Sequence, residues 1–90
     1  MPVSEIIICN KLGLHARAAA KFVRTAGNYS CQVKVGRNPE SLVDGKNIMQ
    51  VMMLAAGKGT SLHLSTEGSQ EDDALNALIE LINDKFGEGE

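Results

Sequence analysis

The sequence predicts an α+β fold in which a four-stranded antiparallel sheet is covered on one face by three helices, in the order βαββαβα, with residues 1–90 forming a single domain. Two patterns carry that expectation. The clearest strands alternate: Cys31, Val33 and Val35 are set against Gln32 and Lys34, and Leu62 and Leu64 against Ser61, His63 and Ser65, so each strand has one face to bury. The helical segments carry apolar stripes at three- and four-residue spacing, and a one-striped helix closes naturally on a one-faced sheet.

The elements follow in order. A first strand is placed near Val3 to Asn10 on the run Ile6, Ile7 and Ile8. Helix one is expected over Ala16 to Gly27, because Ala19, Phe22, Val23 and Ala26 fall at i, i+3, i+4 and i+7 and Gly27-Asn28 supplies a stop. Strand two spans Cys31 to Gly36, and a turn at Arg37-Asn38-Pro39-Glu40 leads to a short strand near Ser41 to Val43. Helix two is expected at about Asn47 to Leu54, ended by Gly57, and strand four at Thr60 to Glu67. Glu71 and Asp72 open helix three, where the helix dipole favours acid, and Ala74, Leu75, Leu78, Ile82 and Phe86 supply its buried stripe. The tail from Gly87 is expected to fray.

Composition narrows function by exclusion. With 9 basic and 11 acidic residues and a net charge of −2, and with Lys and Arg scattered, nothing points to nucleic acid. The apolar run from Ile6 to Cys9 is far short of a membrane span, and no signal peptide precedes it, so a cytoplasmic chain without membrane insertion is expected. By strand alternation Cys9 and Cys31 should lie on opposite faces of the sheet, as structural thiols in a reducing compartment. His63 alternates onto the polar face, and no ligand-type spacing joins it to His15 and Cys9, so no metal is expected. A cofactor loop is absent, no acid–base pair lies near His15 in sequence, and the chain is too short to enclose a substrate. An independent small enzyme is the least favoured class.

The informative stretch runs from Asn10 to Val23, NKLGLHARAAAKFV, which delivers His15 from a Gly-containing turn onto the first residues of a helix. A helix start leaves backbone N–H groups unpaired and carries partial positive charge, so it receives anions. That charge also favours the neutral, nucleophilic imidazole over the cation. A phosphoryl group on one ring nitrogen would lie against the N–H groups of Ala16 and Arg17, and the Arg17 guanidinium adds planar donors suited to phosphate oxygens. A cation in that first turn opposes the dipole, which an anionic partner would explain.

That stretch, together with DGKNIMQVMMLAAGKG from Asp44 to Gly59, resembles HPr, the histidine-containing phosphocarrier family of the bacterial phosphoenolpyruvate phosphotransferase system, and its nitrogen-branch paralogue NPr. The resemblance covers essentially the whole chain and implies the HPr-like open-faced β-sandwich. It implies that His15 is phosphorylated by enzyme I and dephosphorylated by enzyme II A components, with Arg17 contacting the phosphate. It further implies that the chain is a substrate of phosphotransferases and not an enzyme. An HPr-like regulatory binding module of the nitrogen branch is the alternative, disfavoured because pure binding has no need of a nucleophilic imidazole.

Two positions depart from the family. Ala18 stands where members usually have proline; alanine is the best helix former, so the helix should survive with a less rigid start. Asn47 stands where many members carry a regulatory serine, keeping the helix cap and losing the hydroxyl. Helix two also has more apolar residues than one stripe needs: Val51 and Leu54 suit the core, and Ile48, Met49 and Met52 cover another arc. The pattern alone fits either core packing or a Met-rich docking patch. The resemblance implies docking, with Ala16, Ala20, Arg24 and Asn47 bordering a common surface for enzyme I and enzyme II A on a monomer.

Overall fold

A computed structural model describes residues 3–88. Its elements are β1 (Ser4–Ile7), α1 (Ala16–Gly27), β2 (Cys31–Gly36), β3 (Val43–Asp44), α2 (Ile48–Met53), β4 (Ser61–Gly68) and α3 (Glu71–Asn83), followed by a short 3-10 turn at Lys85–Gly87. The strands form one antiparallel sheet in the order β1-β4-β2-β3. Register puts Ile6 opposite Leu62, Val35 opposite Leu64 and Val33 opposite Thr66, and this face is closed by the helices. The opposite face carries Glu5 beside His63 and Lys34 beside Ser65 and stays open, as one-faced alternation requires.

The core joins Phe22 and Ala26 of α1, Val51 of α2, Leu78 and Ile82 of α3, and Phe86 beyond it to Val33, Val35, Leu62 and Leu64 of the sheet. Each large aliphatic or aromatic side chain removed from water contributes about 1.5–3 kcal/mol, so this layer is what holds helices to sheet. Leu75 is partly buried against the same layer.

Several boundaries differ from the sequence expectation. β1 stops at Ile7, although the chain stays tied to the segment leading into β4 by Ile8 N–H to Thr60 O at 3.0 Å and Gly59 N–H to Ile8 O at 2.8 Å. The third strand begins at Val43 because Ser41 is drawn into the preceding turn by its N–H bond to Asn38 O at 3.0 Å. α2 ends at Met53, before any glycine: Ala55 takes the left-handed conformation at φ 50°. Ala56, just beyond, is held by Leu14 N–H donating to its carbonyl at 2.7 Å, and Arg37 Nη1 reaches the Leu54 carbonyl at 3.4 Å.

The cysteine expectation is corrected. Cys9 does not lie on the face opposite Cys31, because β1 has ended and strand alternation no longer governs it. Its thiol turns to the last carbonyls of α3, Ile82 O at 3.3 Å and Asn83 O at 3.8 Å, while Cys31 packs against the core. Both thiols are free. Ser65 is buried although it lies on the open face. At the start of the tail expected to fray, Gly87 N–H bonds to Asp84 O at 2.9 Å and Glu88 N–H to Lys85 O at 3.0 Å. The remainder of that tail, 89–90, lies outside the described residues.

Candidate functional site

His15 is the N-cap of α1, with extended backbone at φ −77° and ψ −179°. The helical ladder opens with Ala19 N–H to His15 O at 2.8 Å, so the N–H groups of the first turn are left for another partner. The His15 side chain makes no capping bond to them, and no acidic residue occupies that turn. Its backbone is fixed by two loops meeting edge to edge. Gly13 sits at φ +69°, and a Cβ there would come within 2.6 Å of Ala56 O and 2.7 Å of the Gly57 Cα, both backbone atoms. Only glycine meets both demands, which explains the residue two places before the histidine.

A shallow pocket surrounds the imidazole, lined by Lys11, Leu12, His15, Ala16, Arg17, Lys21, Gly87 and Glu88. Three cations thus converge with a helix N-terminus on one open face. Ala16 and Arg17 are exposed, as a docking site for a transferred group needs. The structure adds two residues, Glu88 and Asn10, that carry no role in the sequence reading. Glu88 Oε2 accepts from His15 Nε2, and Asn10 Nδ2 donates to Glu88 Oε1 at 2.9 Å and to Gly13 O at 2.8 Å. An ionised carboxylate can only accept, so Nε2 carries a proton, and in the neutral imidazole Nδ1 then keeps its lone pair. Burial pushes the Glu88 carboxyl up, but hydrogen bonds from Asn10 and His15, and the charge of a protonated His15 and of Lys21, outweigh it and hold the group below its ordinary 4.5. Nothing local in the sequence marks Glu88, because the contact spans 73 residues. Asn10 stood in the quoted motif, but its role depends on that same distant contact.

His63 lies elsewhere, on the open sheet face, with Nε2 4.0 Å from Glu5 Oε2. Among the described residues no three metal-ligating side chains come together, and no helix is long and apolar enough to cross a membrane.

α2 packs against α1, the helix that His15 opens. Val51 is buried, whereas Ile48, Met49 and Met52 are exposed, so the extra arc faces outward and is not core. Arg24 is exposed and Ala20 half-buried on α1. Asn47 caps α2, its Oδ1 accepting from Gln50 N–H at 3.1 Å. Sequence reasoning missed Met53, at 79% exposure the most open large apolar residue among the described residues, and Leu12 at 67%. Met53 stands four residues after Met49, the spacing of one helix face, which was the available signal.

The family profile described as "PTS HPr component phosphorylation site" matches residues 3–84. Phosphocarrier protein HPr of Pseudomonas aeruginosa is 78% identical over the full length of both chains, and that of Pseudomonas putida 69% over the same span. The crystal structure of an HPr from Thermoanaerobacter tengcongensis superposes with a TM-score of 0.90 at 45% identity, covering 98% of each chain. With profile, relatives and fold agreeing over nearly every residue, the chain belongs to the HPr family, the phosphocarrier proteins of the phosphotransferase system, which carry phosphoryl groups and are not themselves catalysts.

Proposed function

We propose that His15 accepts a phosphoryl group at Nδ1 from enzyme I, derived from phosphoenolpyruvate, and passes it to enzyme II A components. The observation that carries this reading is an imidazole that opens α1 without capping it and engages Glu88 through Nε2, leaving Nδ1 without a partner among the described residues. In-line transfer between two docked histidines needs chiefly positioning and stabilised charge, which a small open site can share with the wall of each larger partner. Backbone N–H groups of the first turn, including that of Ala16, and the Arg17 guanidinium supply the donors for the phosphate oxygens. Docking uses Ile48, Met49 and Met52 with Ala20, Arg24 and Asn47, extended by Met53 and Leu12, on a monomer acting in the cytoplasm as one domain. No metal or cofactor enters the scheme. The nitrogen-branch alternative has less support, since the relatives at 78% and 69% identity both carry the HPr name.

Incubation with phosphoenolpyruvate and purified enzyme I of each branch, followed by intact mass and acid-lability measurements, tests the reading. One acid-labile phosphate is expected on wild type and His63→Ala and none on His15→Ala. Label retained by His15→Ala overturns the assignment. Arg17→Ala should fold normally and transfer about tenfold more slowly, less than the ~10²–10³ cost of losing a donor in a water-excluded site, because water reaches this one. Unchanged kinetics would deny Arg17 its role.

A further inference from the structure

The residue that deepens this picture comes from the far end of the fold. Past α3, Lys85 and Phe86 both take left-handed backbone at φ 55°, and Gly87 follows at φ 76°. Non-glycine residues adopt that conformation only where their surroundings over-determine it. Here Phe86 is fully buried, and Lys21 Nζ donates to its carbonyl at 2.6 Å. The turn sends Glu88 back over the start of α1, where each carboxylate oxygen meets one donor, Asn10 Nδ2 on Oε1 and His15 Nε2 on Oε2. Asn10 is itself fully buried, and its amide is oriented unambiguously. Flipping it would aim its oxygen at two acceptors, the Gly13 carbonyl and Glu88.

We infer that Glu88 is a positioning residue for His15: it keeps the ring proton on Nε2 through both phosphoryl transfers, making Nδ1 the attacking atom on loading and the leaving atom on unloading. The inference rests on the reading of His15 as phosphoryl acceptor. On loading, the Nδ1 lone pair forms the bond to phosphorus as the bond from phosphorus to the donor nitrogen breaks. The Nε2 proton stays, so the ring becomes cationic opposite the Glu88 carboxylate. On unloading, the Nδ1–phosphorus bond breaks toward the next acceptor, its electron pair returns to Nδ1, and the ring is neutral again. No proton enters or leaves. Without the carboxylate, the Nδ1–H tautomer competes and has no lone pair to offer. The loaded ring would also release its Nε2 proton to water more readily and become a poorer leaving group. Lys21, which lines the same pocket, favours an ionised Glu88.

Ring ¹⁵N shifts of unphosphorylated protein, at a pH where imidazole is neutral, read the tautomer directly. Wild type should show a protonated Nε2 and a bare Nδ1, Glu88→Ala a mixture of tautomers, and Glu88→Gln, whose amide oxygen still accepts, a tautomer close to wild type. Both variants should load and unload about tenfold more slowly at unchanged KM for enzyme I, the lower end of what removing the outer partner of a functional imidazole costs. A wild-type tautomer and rate in Glu88→Ala overturn the inference. If Glu88→Ala folds poorly, Glu88→Gln decides, and full-speed transfer in it overturns the charge role. Failure of wild type to take phosphate on His15 would instead sink the acceptor reading, leaving the tautomer measurement to judge Glu88 alone.

Discussion

Asn47 commits its side chain to the backbone, with Oδ1 on Gln50 N–H, and so cannot be a bystander to the fold of α2. Asn47→Ala should cost about 1 kcal/mol by chemical denaturation, whereas Asn47→Ser, an equal cap, should cost far less. Serine at this position also restores a hydroxyl. Exposed to an HPr serine kinase and ATP, Asn47→Ser should gain an acid-stable phosphate and transfer poorly from enzyme I, because a dianion beside the docking patch repels and must be desolvated. Acid-stable phosphate on wild type would mean another serine has taken that role. Glu88 carries a second prediction at this scale. Its carboxyl titrates below its unfolded value, so the stability it supplies is present above the ordinary carboxylate range and is lost as pH falls through the lower folded value. Melting wild type and Glu88→Gln from roughly pH 7 down to 3 should show a gap that closes in that acid window. A gap independent of pH would mean that charge at position 88 contributes nothing to the fold.

At the scale of elements, α1 and β2 lie where the sequence placed them, since each has an uninterrupted pattern and a marked end: the Ala19, Phe22 and Ala26 stripe with its Gly27-Asn28 stop, and the alternation from Cys31 to Val35. The ends set by distant partners were not legible. β1 loses its strand geometry after Ile7 although Ile8 stays bonded to Thr60 and Gly59, and α2 stops at a left-handed Ala55 whose neighbour Ala56 accepts from Leu14. The same reasoning separates His15, readable from local sequence, from Glu88, which reaches the site only after α3 has docked. Within α2, exposure of Met49 at 65% and Met53 at 79% assigns these two residues to the surface. Changing both to Glu should weaken enzyme I binding by about 2 kcal/mol or more, as interface anchors do, while leaving stability within roughly 0.5 kcal/mol. Intact binding in calorimetry would remove α2 from the interface, and severe unfolding would return these residues to the core.

For the whole molecule, one aromatic side chain links core, backbone strain and site. Phe86 is fully buried, lies beyond α3 and sits in a left-handed turn that its packing helps sustain, so the core and the position of Glu88 depend on the same ring. Phe86→Ala removes that ring without relieving the backbone, because alanine is no more at ease at positive φ than phenylalanine. The cavity should cost about 3–5 kcal/mol, a large share of the roughly 5–15 kcal/mol that holds a domain folded. Phe86→Leu, closer in volume, should cost about 1.5 kcal/mol or less. Below its melting temperature, Phe86→Ala should also show the mixed His15 tautomers expected of Glu88→Ala, since a loosened turn no longer delivers the carboxylate. Denaturant titration and ring ¹⁵N shifts on the same samples check both halves. Wild-type stability in Phe86→Ala would show that the turn is held by its hydrogen bonds alone, whereas lost stability with an intact tautomer would show that the packing beneath the site and the geometry of the site are independent.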